Sequence, residues 1–297
     1  MRSMVILSSR TIMNGVYRGA LYFRPEVVQY SQQSFTIQIE VRESPKQTYR
    51  SNIVVTTMQN AAPIQLSDAE FLNTALALRP SVAVFDCDGT LWSGDAGYGF
   101  MIWSLEQGLV SRNASDWIDS RYRLYLSGEV SEETMCGEMV QVYAELREDE
   151  LRHAAAEYIR TYVEPRVFPV LRKLMDGLRQ AGTDIWAVSS TNNWVIEEGV
   201  RQFQIPAEKI LAACVKVEGG VASSELLAVP TDEAKAVALR GAGIHAPDAV
   251  FGNSVHDVAM LGIAKHPFAV NPSPELARIA AANGWPIYYP EIKADRL

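Results

Sequence analysis

Ser81-Val-Ala-Val-Phe85-Asp86-Cys-Asp-Gly-Thr-Leu91 is the stretch on which the fold turns. Its first half is a compact apolar run, the text of a strand buried on both faces of a parallel sheet. Its second half sets Asp86 and Asp88 two residues apart, so that an extended backbone points both to the same side. Two carboxylates this close repel each other unless a cation or a shared proton relieves them. Gly89 follows, and lets the chain turn sharply and approach a bound group.

The surrounding text repeats the strand signal at helix-sized intervals. Ser67-Asp-Ala-Glu70 is a capping box that opens a helix through Leu78. A helical run over 168–178, stopped at Gly182, leads into a second buried strand at Asp184-Ile-Trp-Ala-Val188. Asn193 reads as the cap of a helix running to about Phe203. A strand follows at Leu211–Val215, then a turn at Gly219-Gly220 and a helix capped by Thr231 that runs through Leu239. Asp248–Phe251 and Phe268–Val270 are further strands, each followed by a helix. Strands and helices in alternation predict an α/β domain with a parallel sheet covered on both faces. Residues 96–166 break the alternation. They hold helical stretches at 115–125, 131–143 and 148–158 with no strand between them. The expected organisation is an α/β core over 63–95 and 167–297, with an all-α cap inserted over 96–166.

Residues 1–62 read differently. Met4-Val-Ile-Leu7 is cut short by Ser8, Ser9 and Arg10, so the apolar core of a secretory signal is not expected. Ser34–Val41 alternates with period two, Asn52–Thr57 is β-branched, and Glu43–Lys46 is a turn signal. This extension is either a β-hairpin or poorly ordered, and no function attaches to it.

Composition narrows the class of protein. The 297 residues are 48% hydrophobic and 21% charged, which is ordinary for a folded globular chain. A net charge of −8 supplies no basic face, so nucleic acid and anionic membrane are not expected partners. No apolar run approaches the ~20 residues that span a bilayer. Cys87, Cys136 and Cys214 are odd in number and widely spaced, which fits the cytoplasm better than an oxidising compartment.

Ligands of open parallel sheets bind beyond the carboxyl ends of the strands. Those positions hold Asp86 and Asp88 after the first strand, Ser189-Ser190 after the second, and Gly252-Asn-Ser-Val-His-Asp257 after the fourth; Lys235 lies on the helix leading toward that fourth strand. Two Asp, a Ser, a Lys and a second polar pair make a complete phosphoryl-transfer site. A divalent cation neutralises the phosphate, Lys adds a fixed positive charge, and a hydroxyl with backbone N–H groups orients the oxygens. One Asp can act as nucleophile and the other can move the proton.

In this order, DxDGT, strand-Ser, Lys and G(D/N)SxxD, the chain resembles the haloacid dehalogenase superfamily of phosphatases over about residues 80–290. The similarity extends to the phosphoserine-phosphatase-like branch with a helical cap, through Leu124–Val130, Tyr162–Pro169 and Phe268–Leu276. The resemblance implies a Rossmann-like core, a magnesium-dependent phosphomonoesterase and a small phosphorylated metabolite as partner. It makes Asp86 the nucleophile and a magnesium ligand, and Asp88 the general acid/base with its carbonyl on the metal. Thr90, Ser189, Ser190 and Lys235 become phosphate-binding, and Asp257 the holder of a metal-bound water. Asn253 departs from the pattern, standing where the family usually places an Asp that binds magnesium directly. Its amide oxygen can still serve a hard cation, with one negative charge fewer, or Asp257 takes over coordination. Asp95, nine residues beyond the nucleophile, matches an acid that contacts the substrate ammonium in phosphoserine phosphatase.

Two rivals remain at this point. Asn in the last motif is also a feature of metal-independent dehalogenases of this fold, but those lack a carboxylate at the position of Asp88. A catalytically weakened binding module would not need Asp86, Asp88, Ser189 and Lys235 together. Of the other residues, His256 reads as a solvated neighbour of Asp257, and Cys87 as a core residue facing away from the aspartates. Trp92, Phe100 and Trp103 either line a substrate entrance or pack at the seam between core and cap.

Overall fold

The structure, a computed structural model, describes residues 25–30, 34–44, 47–56 and 64–291 of the chain. It separates into two compact units, Met1–Ala61 and Ala62–Leu297. In the first unit β1 (Pro25–Tyr30), β2 (Ser34–Ser44) and β3 (Gln47–Thr56) form an antiparallel sheet in that order. The alternating stretch at 34–41 falls on β2, and most of 52–57 on β3. The turn signal falls where β2 gives way to β3, with Pro45 and Lys46 outside the described residues. The Met4–Arg10 segment also lies outside them.

The second unit opens with β4 (Gln65–Leu66), α1 (Asp68–Ala77) and β5 (Val82–Phe85). Four helices follow: α2 (Ala96–Glu106), α3 (Arg112–Leu126), α4 (Glu132–Gln141) and α5 (Glu148–Tyr158). The chain then alternates through α6 (Pro169–Gln180), β6 (Asp184–Asn192), α7 (Asn193–Arg201), β7 (Ile210–Glu218) and β8 (Val221–Ala228). It ends with α8 (Glu233–Gly241), β9 (Ala249–Gly252), α9 (Val258–Gly262), β10 (His266–Val270), α10 (Pro274–Asn283) and β11 (Ile287–Tyr288). The sheet order is β4-β11-β10-β9-β5-β6-β7-β8, parallel throughout except for the β7–β8 edge. This is the expected mixed α/β architecture with a central parallel sheet.

The strand that decides the fold is buried on both faces. Ala83 and Phe85 join one hydrophobic cluster and Val84 the other, as the two-residue period of a strand requires. On the first face, Phe85, Phe251 and Phe268 stack in series, and Phe71 of α1 closes the series against Tyr288 with ring centroids 4.1 Å apart. The capping box that starts α1 is present, with Ser67 and Glu70 bonding each other's backbone N–H groups. The inserted helices have a small cluster of their own around Met101, Ile118, Val130 and Met135.

Several local expectations change. The cap of α7 is Asn192, whose side chain accepts from Val195 N–H, and not Asn193. Thr231 does not cap α8. That place belongs to Asp232, at a positive φ of 49°, and the buried Thr231 hydroxyl has no partner among the described residues. Strands β4, β8 and β11 carried no legible signal. Two of them are only two residues long, and β8 is a largely exposed edge paired antiparallel after the Gly219-Gly220 turn.

Candidate active site

The carboxyl ends of β5, β6 and β9 open into a cavity of about 450 Å³, closed on the other side by residues of α2 and α4. Asp86, Asp88, Ser189, Ser190, Lys235, Asn253 and Asp95 all line it, so chain segments up to 167 residues apart meet there. Thr90 and Asp257 do not.

The floor is a buried charge cluster. Lys235 Nζ donates to Asp86 Oδ1 at 2.7 Å and to Asp257 Oδ1 at 2.6 Å, and all three side chains are 7% exposed or less. Burial pushes the lysine's pKa down, but the Asp257 and Asp86 carboxylates outweigh it and hold the pKa above the ordinary range. The carboxylates outnumber the lysine. Burial, with Asp257 and Asp88 adding to it against the pull of Lys235, raises the pKa of Asp86 to about 7.

The other oxygen of Asp86 accepts from the Thr90 hydroxyl at 2.9 Å. Thr90 is fully buried behind the carboxylate. It therefore orients Asp86 and is not in a position to bind phosphate, which corrects the reading from the motif. Asp257 is likewise committed. Its Oδ2 accepts from the backbone N–H groups of Asn253 and Ser254 at 2.8 and 3.0 Å, while its Oδ1 holds Lys235. This arrangement does not suit direct coordination by Asp257; the residue fixes the Asn253 loop and the lysine.

Asp88 is gripped from three directions. Its Oδ1 accepts from Trp92 Nε1 and from Ala96 N–H, both at 2.7 Å, and its Oδ2 from the Thr191 hydroxyl at 2.7 Å. Burial and then the charge of Asp95 raise its pKa to about 6 against those donors. Trp92 and Phe100 are fully buried and Trp103 nearly so. None of them lines this cavity, so the entrance reading gives way to packing, and Trp92 has the added task of holding Asp88. Cys87 is buried in the core cluster.

Two glycines make these approaches possible. Gly89 has φ +76°, and a Cβ there would lie 1.9 Å from Asn253 Nδ2, so the loop and the amide can adjoin only without a side chain. A Cβ at Gly97 would lie 2.5 Å from the Thr191 hydroxyl that holds Asp88.

Sequence reasoning missed Thr191 and Asn271, whose Nδ2 donates to the Gly89 carbonyl at 3.1 Å. It also missed Glu132 and Cys136 of α4, which line the cavity. Their spacing of four residues on one helix was legible, but not which face turned inward. His256 lines the cavity too, with Nδ1 2.8 Å from Asp232 Oδ1 and Nε2 3.6 Å from Glu132 Oε2.

Among the described residues, no group of three or more His, Cys, Asp or Glu side chains forms a metal cage. The cavity nevertheless offers hard oxygen donors at a surplus of negative charge, namely Asp86 and the Asn253 amide. That set fits a cation such as magnesium, which is held by one or two carboxylates and completes its shell with water and phosphate.

A buried aspartate at a strand end, with a lysine on its flank and a second aspartate two residues on, defines a class of hydrolytic site on this sheet. The haloacid dehalogenase-like hydrolase family matches residues 83–262, and the chain belongs to it. It is 25% identical over 218 residues to a histidinol-phosphatase of Neisseria meningitidis, covering 70% of this chain and 97% of that one. It is similar in structure to a Bordetella pertussis Tohama I protein of unknown function, at TM-score 0.62 and 25% identity over 70% of this chain and 97% of that one. A substrate-bound phosphoserine phosphatase shares the fold at TM-score 0.50 and 14% identity, over 71% and 93%.

Proposed function

We propose that the protein is a magnesium-dependent phosphatase that hydrolyses a small organic phosphomonoester through an aspartyl-phosphate at Asp86. The observation that carries this reading is the pair of aspartates. Asp86 is steadied by Lys235 and Thr90 at the cavity floor, and Asp88 is fixed two residues on by three donors. The similarity to a histidinol-phosphatase supports it.

In the proposed sequence an Asp86 oxygen attacks phosphorus and the P–O bond to the alcohol breaks. Asp88 gives its proton to the departing alkoxide. Asp88, now a carboxylate, takes a proton from a water that attacks the phosphorus of the aspartyl-phosphate. Inorganic phosphate leaves and Asp86 is restored. A carboxyl group with its pKa raised to about 6 suits both halves near neutral pH. The Thr191 hydroxyl that donates to the carboxylate can turn to accept from the protonated form. Ser189, Ser190 and Lys235 line the cavity where phosphate oxygens would be held. Magnesium, when bound by Asp86, the Asp88 carbonyl and Asn253, supplies positive charge to those oxygens.

The inserted helices act as the cap that keeps bulky esters and bulk water out. The three free cysteines suit a reducing cytoplasm, and among the described residues no helix is long and apolar enough to cross a membrane.

The test is phosphate release from a panel of small phosphomonoesters, histidinol phosphate included, with magnesium and with a chelator, beside Asp88→Asn. Metal-dependent release, cut by about 10²–10⁴-fold in the variant, is the expected result. Asn253 favours one rival, a metal-independent 2-haloacid dehalogenase. Chloride release from 2-haloacids without phosphate release would establish that rival instead.

A further inference from the structure

We infer that Thr191 positions the proton of the general acid: Asp88 carries it on Oδ2, and the Thr191 hydroxyl turns between donor and acceptor as that proton leaves and returns. The inference rests on the phosphatase reading and specifies how its proton is delivered. It comes from the unequal company of the two Asp88 oxygens. Oδ1 accepts from Trp92 Nε1 and from Ala96 N–H, the first amide of α2. Both groups only donate, so neither can accept a hydrogen bond from a proton on Oδ1. Oδ2 meets Thr191 Oγ1 at 2.7 Å, and a hydroxyl both donates and accepts. The protonated acid therefore keeps Oδ1 as its carbonyl oxygen and bears its O–H at Oδ2.

The cavity lies on the Oδ2 side. Thr191 lines it together with Asp88, whereas Trp92 and Ala96 do not line it and are almost fully buried. The indole is packed against Gly199 of α7, where a Cβ would lie 2.9 Å from Trp92 Cη2, so the Oδ1 side is fixed. Thr191 sits near the end of β6, and Gly97 of α2 leaves its hydroxyl just enough room to reach Asp88. As the P–O bond to the alcohol breaks, the Oδ2–H bond breaks and the proton joins the departing oxygen. Its electron pair stays on Oδ2, and the Thr191 hydroxyl turns to donate to the new carboxylate. When water attacks the aspartyl-phosphate, the proton it loses goes to Oδ2 and the hydroxyl turns back. Thr191 acts through Asp88, which makes it a positioning residue.

The test compares kcat/KM for benzyl phosphate, phenyl phosphate and p-nitrophenyl phosphate, three esters of similar shape whose leaving groups need a proton to decreasing degrees. The proteins are the wild type, Thr191→Val, Thr191→Ser and Gly97→Ala. Thr191→Val is expected to lower kcat/KM for benzyl phosphate by about 10–10²-fold, less for phenyl phosphate and least for p-nitrophenyl phosphate, whose alcohol departs readily as its anion. Thr191→Ser keeps the hydroxyl and is expected to restore most of the loss. Gly97→Ala crowds the hydroxyl off Asp88 without altering Thr191, and is expected to reproduce the same gradient; it decides alone if Thr191→Val no longer unfolds cooperatively. A loss of equal size on all three esters would mark a merely structural role and overturn the inference. So would an unimpaired Thr191→Val, or a Thr191→Ser as impaired on benzyl phosphate as Thr191→Val. Each of those results leaves the phosphatase reading standing, whereas phosphate release from no ester at all would remove that reading and this inference with it.

Discussion

At the floor of the cavity, Asp86, Asp257 and Lys235 are almost fully buried and their charged atoms bond to one another or to close donors. On the wall built by α2 and α4, Asp95 and Glu132 are also acidic, but they line open space in the cavity. The floor is fixed from several directions at once, as chemistry that tolerates little displacement demands. On the proposed reading, the floor carries the reaction and the wall meets the alcohol half of the ester.

Asp86→Asn tests the floor hardest. Turnover should fall by at least about 10⁴-fold, because the nucleophile is gone. Lys235 keeps Asp257 and an amide oxygen as partners, so thermal unfolding should still be cooperative. Lys235→Met comes next. It strands two buried carboxylates, and breaking a buried pair in this way costs about 3–5 kcal/mol, readable from denaturant unfolding.

The pH dependence of stability separates the halves further. The raised Asp86 and Asp88 bind protons in the folded state that the unfolded chain releases near pH 3.8. With more protons on the folded state, stability falls as pH rises from about 4 to 7. Melting curves in chelator should show that decline, flattened in Asp86→Asn. Magnesium should raise the Tm more at pH 7 than at pH 5. Asp248 works in the opposite direction at lower pH. Its carboxylate is held below the usual range by Lys265 and by the Ser81 and Val82 N–H groups, so its contribution is lost only in stronger acid. The smallest effect belongs to the wall. Glu132→Gln should change the unfolding free energy by no more than about 0.5 kcal/mol, since lost helix-terminus charge and relieved repulsion with Asp95 oppose each other.

The same division explains what the sequence revealed. Strand β5 and its two aspartates were legible because an apolar run followed by same-side carboxylates admits few structural explanations. Ser189, Lys235 and Asn253 were legible as members of an ordered motif set. The roles of Thr90 and Asp257 were not, because the motif records that they are present and not whether their oxygens are already taken. Trp92 looked like packing or an entrance, and its indole N–H on Asp88 depends on a turn geometry that one sequence does not encode. Glu132 was hidden for a related reason. Helix α4 buries Met135 and Val140 while turning Glu132, Cys136 and Met139 to the cavity, and pattern alone did not say which of two plausible faces would meet the site.

The covalent bond from Asp86 to phosphorus is the step on which the proposed reaction turns. The protein would be mixed with a turned-over phosphomonoester and magnesium, quenched in acid, reduced with borohydride and mapped by peptide mass spectrometry. Conversion of Asp86 to homoserine, absent without substrate and absent in Asp86→Asn, is the predicted result. Steady release of phosphate with Asp86 unmodified, or with the modification at another carboxylate, would contradict it.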